Sequence, residues 1–395
     1  MSLPLTIRKR FIMMTDMPYW IALGQLPRWT HARVNSLVIR LYHDRKMTIE
    51  EFFQLDEISW RSEFELNEKE VNDLKMARAD LSNYAFLAES MQSQGYELIP
   101  IISPEYPKML KENLKATHAP TVCYVKGNKK IFKESTVAIV GSRIASDVSL
   151  QFTDHIAKKA SAEYKVVVSG FAKGVDKQAL DSALKYKGQS IIVLPQGIMT
   201  FGSGYKTYYK QIVEGDLLVL STFFPKAPWM VELAMARNPI IYGLAKEIFV
   251  AESSDKGGTW SGVLDGLRKG RQIFVRKPGN GERCANNLLI SKGAIAVDME
   301  GMPVSKEYIT ENQKPELSLV EEPGQDLTVQ LLKLVANRPM TSKEIITALD
   351  LKLTSQKLVS LLKSMNGIES IRVKKNTFFK VKRENEAKQG ALTLI

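Results

Sequence analysis

Hydrophobic positions recur with two different periods along the chain, and the change falls near residue 95. Before it, apolar residues repeat at helical spacing, as in Leu81, Tyr84, Ala88 and Met91. The same spacing predicts short helices over residues 20–26, 33–43, 48–53, 67–79 and 81–94. We therefore expect residues 1–95 to form a small helical domain that serves packing or interaction and carries no chemistry.

After residue 95 the chain alternates between apolar runs and helical segments. Two β-prone runs come first, at residues 96–102 and 121–127. Seven apolar runs follow, at residues 136–140, 165–169, 190–194, 216–221, 247–251, 272–276 and 294–297. They do not alternate with polar residues, which is typical of strands buried on both faces of a parallel sheet. Residues 96–300 are therefore predicted to form an α/β, doubly wound, mostly parallel Rossmann-like domain.

The C-terminal part has a third pattern of apolar and polar residues. Residues 301–325 are rich in Pro, Glu and Lys without an apolar period, which is typical of a linker. Residues 326–383 contain three helical segments followed by two short β-prone runs around a basic turn, and Thr341 with Glu344 fits a capping box. This order predicts a winged-helix domain, and residues 384–395 are expected to be a tail.

Charge is distributed unevenly over these regions. The chain has 55 basic and 43 acidic residues, a net charge of +12. Residues 1–100 are slightly acidic, whereas residues 324–383 hold 12 basic against 4 acidic side chains, a net +8. Such a surplus favours a polyanionic partner such as nucleic acid, because neutralised phosphates release condensed counterions. A merely basic protein without such a partner stays open as the alternative.

Several classes of protein are disfavoured by composition. No apolar run approaches the roughly 20 residues of a membrane span, and Arg8 to Arg10 precede too short an apolar stretch for a signal peptide. We therefore expect a cytoplasmic protein without a membrane partner. Cys123 and Cys284 form no metal-ligand spacing with each other or with a histidine, so neither a disulfide nor a metal site is expected.

Glycine-bearing turns follow the predicted strands, where doubly wound sheets bind ligands. The first combines a flexible turn with a hydroxyl and a guanidinium, and the second adds an ammonium before a helix whose first amides favour an anion. The candidate phosphate-binding residues of these turns are Gly141, Ser142, Arg143, Ser169, Gly170, Lys173 and Gly174. Further along lie Arg237 and Asn238, then Gly258 and Thr259. Trp229 is either a base-stacking residue or, as an indole near two methionines, part of the core, and the second interpretation is favoured.

The order of these motifs resembles the DNA processing protein A family, also called Smf. The resemblance rests on Gly-Ser-Arg at 141–143, Ser-Gly-x-Ala-x-Gly-x-Asp at 169–176 and Arg-Asn-x-Ile-Ile-x-Gly-Leu at 237–244, followed by two later motifs. It extends to the N-terminal helical (SAM-like) domain. Pro239 departs from the family, which usually has a second Arg there. The resemblance implies a non-enzymatic, single-stranded DNA-binding homodimer that protects incoming strands and loads the RecA recombinase during transformation and recombination, without a cofactor.

Two other functions stay open from the residues alone. The same phosphate pocket would suit a sensor of a nucleotide signal or a module of defence against foreign DNA. A phosphoribohydrolase is less well supported, because Trp260, Ser261 and Gly262 follow Thr259 where such enzymes need a carboxylate, and the first acid is Asp265. In the winged-helix domain, duplex contacts are expected from Lys357, Lys363, Lys374 and Lys375.

Overall fold

The computed structural model describes residues 16–304 and, in the C-terminal part, residues 331, 334–336, 338–349, 355, 358, 359, 362, 368–373 and 376–381. The chain divides into two compact units, residues 1–308 and 309–395. None of the helices within the described ranges is both long enough and apolar enough to cross a membrane.

Between residues 16 and 95 the structure describes six short α-helices: α1 (Met17–Gly24), α2 (His31–Ile39), α3 (Ile49–Gln54), α4 (Glu57–Phe64), α5 (Glu68–Ala79) and α6 (Leu81–Ser93). Thr48 and Asn67 begin α3 and α5, each in a capping box. The helix α4 was not expected, because only Trp60 and Phe64 mark its apolar side. The Trp60 indole is buried and its N–H donates to the Phe52 carbonyl at 2.9 Å.

The helical region shares a continuous apolar core with the edge of the following sheet. Asn35 on α2 is buried at this junction. Its side-chain amide donates to the Ala119 carbonyl at 2.8 Å, and its carbonyl oxygen accepts the Thr121 hydroxyl at 2.9 Å. A buried amide satisfied on both sides fixes the orientation of α2 against the chain that enters the sheet.

The sheet has nine strands in the spatial order β1-β2-β6-β5-β4-β3-β7-β8-β9. Their bounds are β1 (Glu97–Pro100), β2 (Val122–Gly127), β3 (Thr136–Val140), β4 (Val166–Ser169), β5 (Ser190–Val193), β6 (Leu217–Ser221), β7 (Glu247–Val250), β8 (Ile273–Arg276) and β9 (Ile295–Val297). Strands β3 to β9 are parallel. At one edge β2 pairs antiparallel with β6, and β1 pairs antiparallel with β2.

The strand order places a topological switch beside β3. From β3 the chain builds outward through β4, β5 and β6, then returns to the other side of β3 and continues through β7, β8 and β9. Alternate residues of β3 belong to two separate cores: Val137 and Ile139 to one, Ala138 and Val140 to the other. The sheet is therefore buried on both faces, and the predicted doubly wound Rossmann-like fold is confirmed.

The remaining helices of the first unit are α7 (Lys108–His118), α8 (Asp147–Ala162), α9 (Val175–Lys185), α10 (Gly202–Thr207), α11 (Tyr209–Glu214), α12 (Val231–Leu244), α13 (Gly257–Arg268) and α14 (Asn286–Ser291). Helices α8 and α9 contribute Phe152, Ile156 and Ala179 to one core, while α12 contributes Ile240 and Ile241 to the opposite one. Helices thus cover both faces and leave the strand ends open.

The second unit contains a three-stranded sheet in the order β10-β12-β11, with β10 (Met340–Thr341), β11 (Ile368–Val373) and β12 (Asn376–Val381). Helix α15 (Ser342–Ala348) begins at the expected capping box of Thr341 and Glu344. Buried apolar residues, Phe379 among them, form the core of this unit. The winged-helix assignment stays a prediction, and Lys357, Lys363, Lys374 and Lys375 lie outside the residues that the structure describes.

Candidate nucleic-acid interface

Three loops meet at the carboxyl ends of the strands that flank the switch point. Loop 1 (141–146) follows β3, loop 2 (170–174) follows β4, and loop 3 (251–256) follows β7. Because β3 pairs with β4 on one side and β7 on the other, the three loops are neighbours. This is the edge at which doubly wound sheets bind their ligands.

Loop 1 turns sharply because its first residue has no side chain. A Cβ on Gly141 would lie 2.6 Å from the Val175 side chain, so only glycine fits. The next amide, of Ser142, donates to the Glu252 carbonyl in loop 3 at 2.9 Å. The Ser142 hydroxyl accepts from the Ile144 amide and donates to the Ile144 carbonyl at 2.7 Å. This hydroxyl therefore braces loop 1 itself.

Loop 2 is held against loop 1 by its last residue. Gly174 has a φ of +84°, and a Cβ there would overlap the Ser142 carbonyl and lie 2.7 Å from that of Arg143. The Val175 amide donates to the Ser142 carbonyl at 3.2 Å. Helix α9 then begins without a capping side chain, in contrast to α8, which Ser146 caps. The Val175 and Lys177 amides of this first turn donate to the Ser142 and Ala172 carbonyls, so the start of α9 is satisfied by the backbone of the two loops.

A buried ion pair lies beneath the loops. The Arg237 guanidinium on α12 lies 3.8 Å from the Asp176 carboxylate on α9 and donates to the Val193 carbonyl at the end of β5, at 3.3 Å. It occupies the space that a side chain on Gly170 would need. The pair therefore joins α12 to loop 2 and to the ends of two strands.

The electrostatics of Asp176 tie this pair to loops 1 and 2. Burial raises the pKa of Asp176, while the Arg237 charge and the backbone amides of Ala172 and Gly141 oppose that rise. Burial likewise lowers the pKa of Arg237, and the Asp176 charge opposes it. The Asp176 carboxylate thus lies close to the backbone of both loops and faces the cation that packs under Gly170.

These positions correct two expectations of direct phosphate contact. Arg237 is only 3% exposed, so its guanidinium supports loop 2 from below and does not reach a ligand above it. Ser169 is also buried, and its hydroxyl donates to the Ile139 carbonyl at 2.9 Å. The sequence shows which residues follow each strand, but it does not show that α12 directs Arg237 inward.

Loop 3 and the start of α13 complete the site. The Thr259 hydroxyl donates to the Gly141 carbonyl at 3.1 Å, and a Cβ on Gly258 would lie 2.8 Å from the Asn238 side-chain nitrogen. Helix α13 also begins without a capping side chain. The structure therefore brings Gly258, Thr259 and Asn238 close to loop 1. Near α9, the start of α13 is a second helix start without a capping side chain.

Two of the predicted cations are exposed on these loops. Arg143 on loop 1 and Lys173 on loop 2 form no ion pair with any residue between 16 and 304. By contrast, Lys177, in the first turn of α9, pairs with Asp181. The Arg143 charge lowers the pKa of both Asp176 and Arg237, so Arg143 lies near enough to the buried pair to affect it. Arg143 and Lys173 are therefore available to an anionic ligand.

A second polar network supports loop 3 and was not predicted. Arg276 at the end of β8 is buried and pairs with Glu282 at 2.6 Å, while its guanidinium also donates to the Ser149 hydroxyl at 2.9 Å. The Glu252 carboxylate accepts from Ser149 and from Ser146, the residue that caps α8. An arginine at the end of an apolar strand is the sequence feature from which this network could have been predicted.

A cavity of about 270 Å³ opens between α12 and α13, next to the loops. Its lining includes Asn238, Gly258, Tyr242 and Asp265 but neither Arg143 nor Lys173. Its walls include the exposed cations Arg268 and Lys269 instead, and the cavity adjoins the candidate site at Gly258.

Trp229 lies on the surface, contrary to the expectation that an indole near methionines belongs to the core. It is 49% exposed and closely precedes α12. The sequence could not settle this because the pattern before α12 has no clear period.

The fold and these loops define a Rossmann-like protein with a candidate anion-binding edge at the switch point of its sheet. The sequence profile of the family described as DNA recombination-mediator protein A matches residues 97–306. The chain therefore belongs to this family, and the resemblance to DNA processing protein A and Smf is confirmed.

Characterised relatives resemble the chain over its central part. DNA processing protein DprA of Streptococcus pneumoniae is 31% identical over 186 residues, and that of Bacillus subtilis is 28% identical over 185. Each match covers 47% of this chain, and 64% and 61% of the two relatives respectively. The crystal structure of the pneumococcal protein has a TM-score of 0.58 at 24% identity and covers 71% of this chain and 93% of that one, which shows a shared fold.

Proposed function

We propose that this protein binds single-stranded DNA, with a backbone phosphate held between loops 1 and 2. The observation that carries this proposal is the pair of exposed cations, Arg143 and Lys173, on adjacent loops that the buried Asp176–Arg237 pair fixes from below. Guanidinium and ammonium groups supply charge, and the start of α13, which has no capping side chain, supplies backbone amides. Membership of a family of DNA processing proteins supports a nucleic-acid ligand.

A single strand suits this site better than a duplex. The loops surround the switch point of the sheet, where a flexible backbone can bend a phosphate inward and turn its bases toward neighbouring apolar side chains. A rigid duplex keeps its bases paired and offers only its phosphates. We therefore expect tighter binding of single strands than of duplexes of the same sequence.

We infer a binding role without catalysis at this site. The first acidic residue after Thr259 is Asp265, and its carboxylate pairs with Lys269 at 2.8 Å and with Arg268 at 3.3 Å. A carboxylate that is already engaged by two cations is poorly suited to donate a proton to a leaving group. This arrangement disfavours a phosphoribohydrolase.

The family resemblance also suggests what happens to the bound strand and how the protein assembles. We propose that the bound strand is protected and passed to the RecA recombinase during transformation and recombination, and that the protein acts as a cytoplasmic homodimer. We also propose that the basic C-terminal domain adds a duplex contact, since residues 324–383 carry a net charge of +8. Deleting residues 324–395 should then weaken duplex binding and leave single-strand binding intact.

A sensor of a free nucleotide is the second candidate, favoured by the cavity that adjoins Gly258 and Asn238. A defence role would use the same site on foreign strands. Titration with a labelled single strand, the matching duplex and free mononucleotides tests these alternatives. We expect the single strand to bind most tightly, with mononucleotides competing only weakly. Tight mononucleotide binding with no affinity for the strand would instead support the sensor.

A further inference from the structure

Four large apolar side chains form an exposed patch where α12 begins. Trp229, Met230, Val231 and Met235 are 49%, 45%, 58% and 44% exposed. The first three are consecutive, and Met235 follows Val231 by one helical turn, so all four lie at the same end of the helix. We call this group the α12 patch. Contiguous exposed apolar side chains of this size are typical of an interaction surface.

The α12 patch lies at the same edge of the sheet as the phosphate-binding loops. The Ala227 carbonyl, two residues before Trp229, accepts from the Gly197 amide at 2.9 Å beyond the end of β5. The sulfur of Met235 lies 3.5 Å from the position of a Cβ on Gly258 at the start of α13. Two residues after Met235, Arg237 packs under Gly170 of loop 2. The patch therefore continues directly from the candidate site.

The charges around the α12 patch indicate what covers it. Lys226 and Lys256 are exposed and, like Arg143 and Lys173, form no ion pair within residues 16–304. The nearest acidic side chain in sequence is Glu232, in the first turn of α12. An occupant with apolar faces and a negative backbone fits this setting. A second copy of this chain, with a net charge of +12, would bring like charge to a basic rim.

We propose that the α12 patch is a base-binding platform, on which Trp229 stacks against unpaired bases of the strand whose phosphate lies between loops 1 and 2. The proposal rests on the proposed function and names the second half of its ligand. An indole face accepts any base, so the platform contributes affinity with little sequence preference. It also distinguishes a single strand from a duplex, whose bases are already stacked.

The test compares an oligothymidine with an abasic oligonucleotide of the same length, which keeps the phosphates and lacks the bases. The wild-type protein should bind the oligothymidine at least about five-fold more tightly, the minimum expected from one stacked base. Trp229→Ala should remove that difference in affinity, because it should weaken only the binding of the oligothymidine. Trp229→Phe should restore most of it. Tyr164→Ala, which alters an 89% exposed aromatic residue at the opposite edge of the sheet, should change neither affinity.

Fluorescence gives an independent readout. Of the five tryptophans, Trp20 and Trp60 are buried, whereas Trp29 and Trp260 are half-buried. The contribution of Trp229 is therefore the part of the quenching by oligothymidine that is lost in Trp229→Phe. If Trp229→Ala binds each oligonucleotide with the same affinity as the wild type, the proposed platform is wrong while the phosphate site stands. If wild type binds neither, the proposed function falls and the platform with it. A change in oligomeric state without any change in DNA affinity would assign the α12 patch to protein contact and overturn the proposal.

Discussion

The Arg237 guanidinium fills the space that any side chain on Gly170 would occupy. This relationship links two motifs separated by 67 positions in the sequence, one in loop 2 and one in α12. Because Arg237 also faces Asp176 at 3.8 Å, the glycine, the arginine and the aspartate form one packed unit beneath the exposed cations. The geometry of the proposed phosphate site therefore depends on residues that need not touch the ligand.

The first prediction concerns Gly170. In Gly170→Ala the new methyl group overlaps Arg237, which must leave its position. We expect a loss of about 1–3 kcal/mol in the free energy of unfolding, the usual cost of overpacking, and a marked drop in affinity for single-stranded DNA. Urea denaturation and fluorescence anisotropy would measure the two effects. Gly202→Ala is the matched control, since a Cβ there meets nothing within 4 Å. Unchanged stability in Gly170→Ala would contradict this packing of Arg237.

The second prediction concerns the buried ion pair. Asp176→Ala leaves the Arg237 charge buried without its partner, and we expect a destabilisation of about 3–5 kcal/mol. In the double variant Asp176→Leu, Arg237→Met no charge is left uncompensated, so stability should recover in large part. DNA affinity should stay low in the double variant, because loops 1 and 2 lose their common anchor. A double variant that binds DNA like the wild type would show that the pair does not organise the site.

The third prediction is a pH dependence from Glu282. Its hydrogen bonds with Arg276 hold the pKa of Glu282 below its usual value. A carboxylate whose pKa is lower in the folded protein contributes stability above its ordinary pKa, and that contribution is lost as the pH falls through the folded-state pKa. Breaking a largely buried pair of this kind costs about 3 kcal/mol.

Glu282→Gln should therefore be less stable than the wild type at neutral pH, and the difference should shrink as the solution is acidified. Urea denaturation at several pH values across the acidic range measures it. Glu300→Gln, an exposed carboxylate outside this network, serves as the control. A difference that stays constant with pH would show that the charge of Glu282 does not matter.

Much of the fold could be predicted from the sequence because the strands are apolar throughout and separated by helical segments. The glycines of loops 1 and 2 were predictable for the same reason, since each follows a buried strand. The inward direction of Arg237 was not, because it depends on how α12 packs over β4 and β5. The exposure of Trp229 likewise depends on where α12 begins on the surface, which local pattern does not determine.

The most direct test of the phosphate site is the salt dependence of single-strand binding by the double variant Arg143→Ala, Lys173→Ala. Both side chains are exposed and unpaired within residues 16–304, so the variant should unfold like the wild type. Its affinity should fall, and the slope of log affinity against log salt should become shallower by about 0.7 for each phosphate that the variant no longer neutralises. Lys177→Ala, on the neighbouring turn of α9, provides the control. A double variant with wild-type affinity and slope would contradict the account.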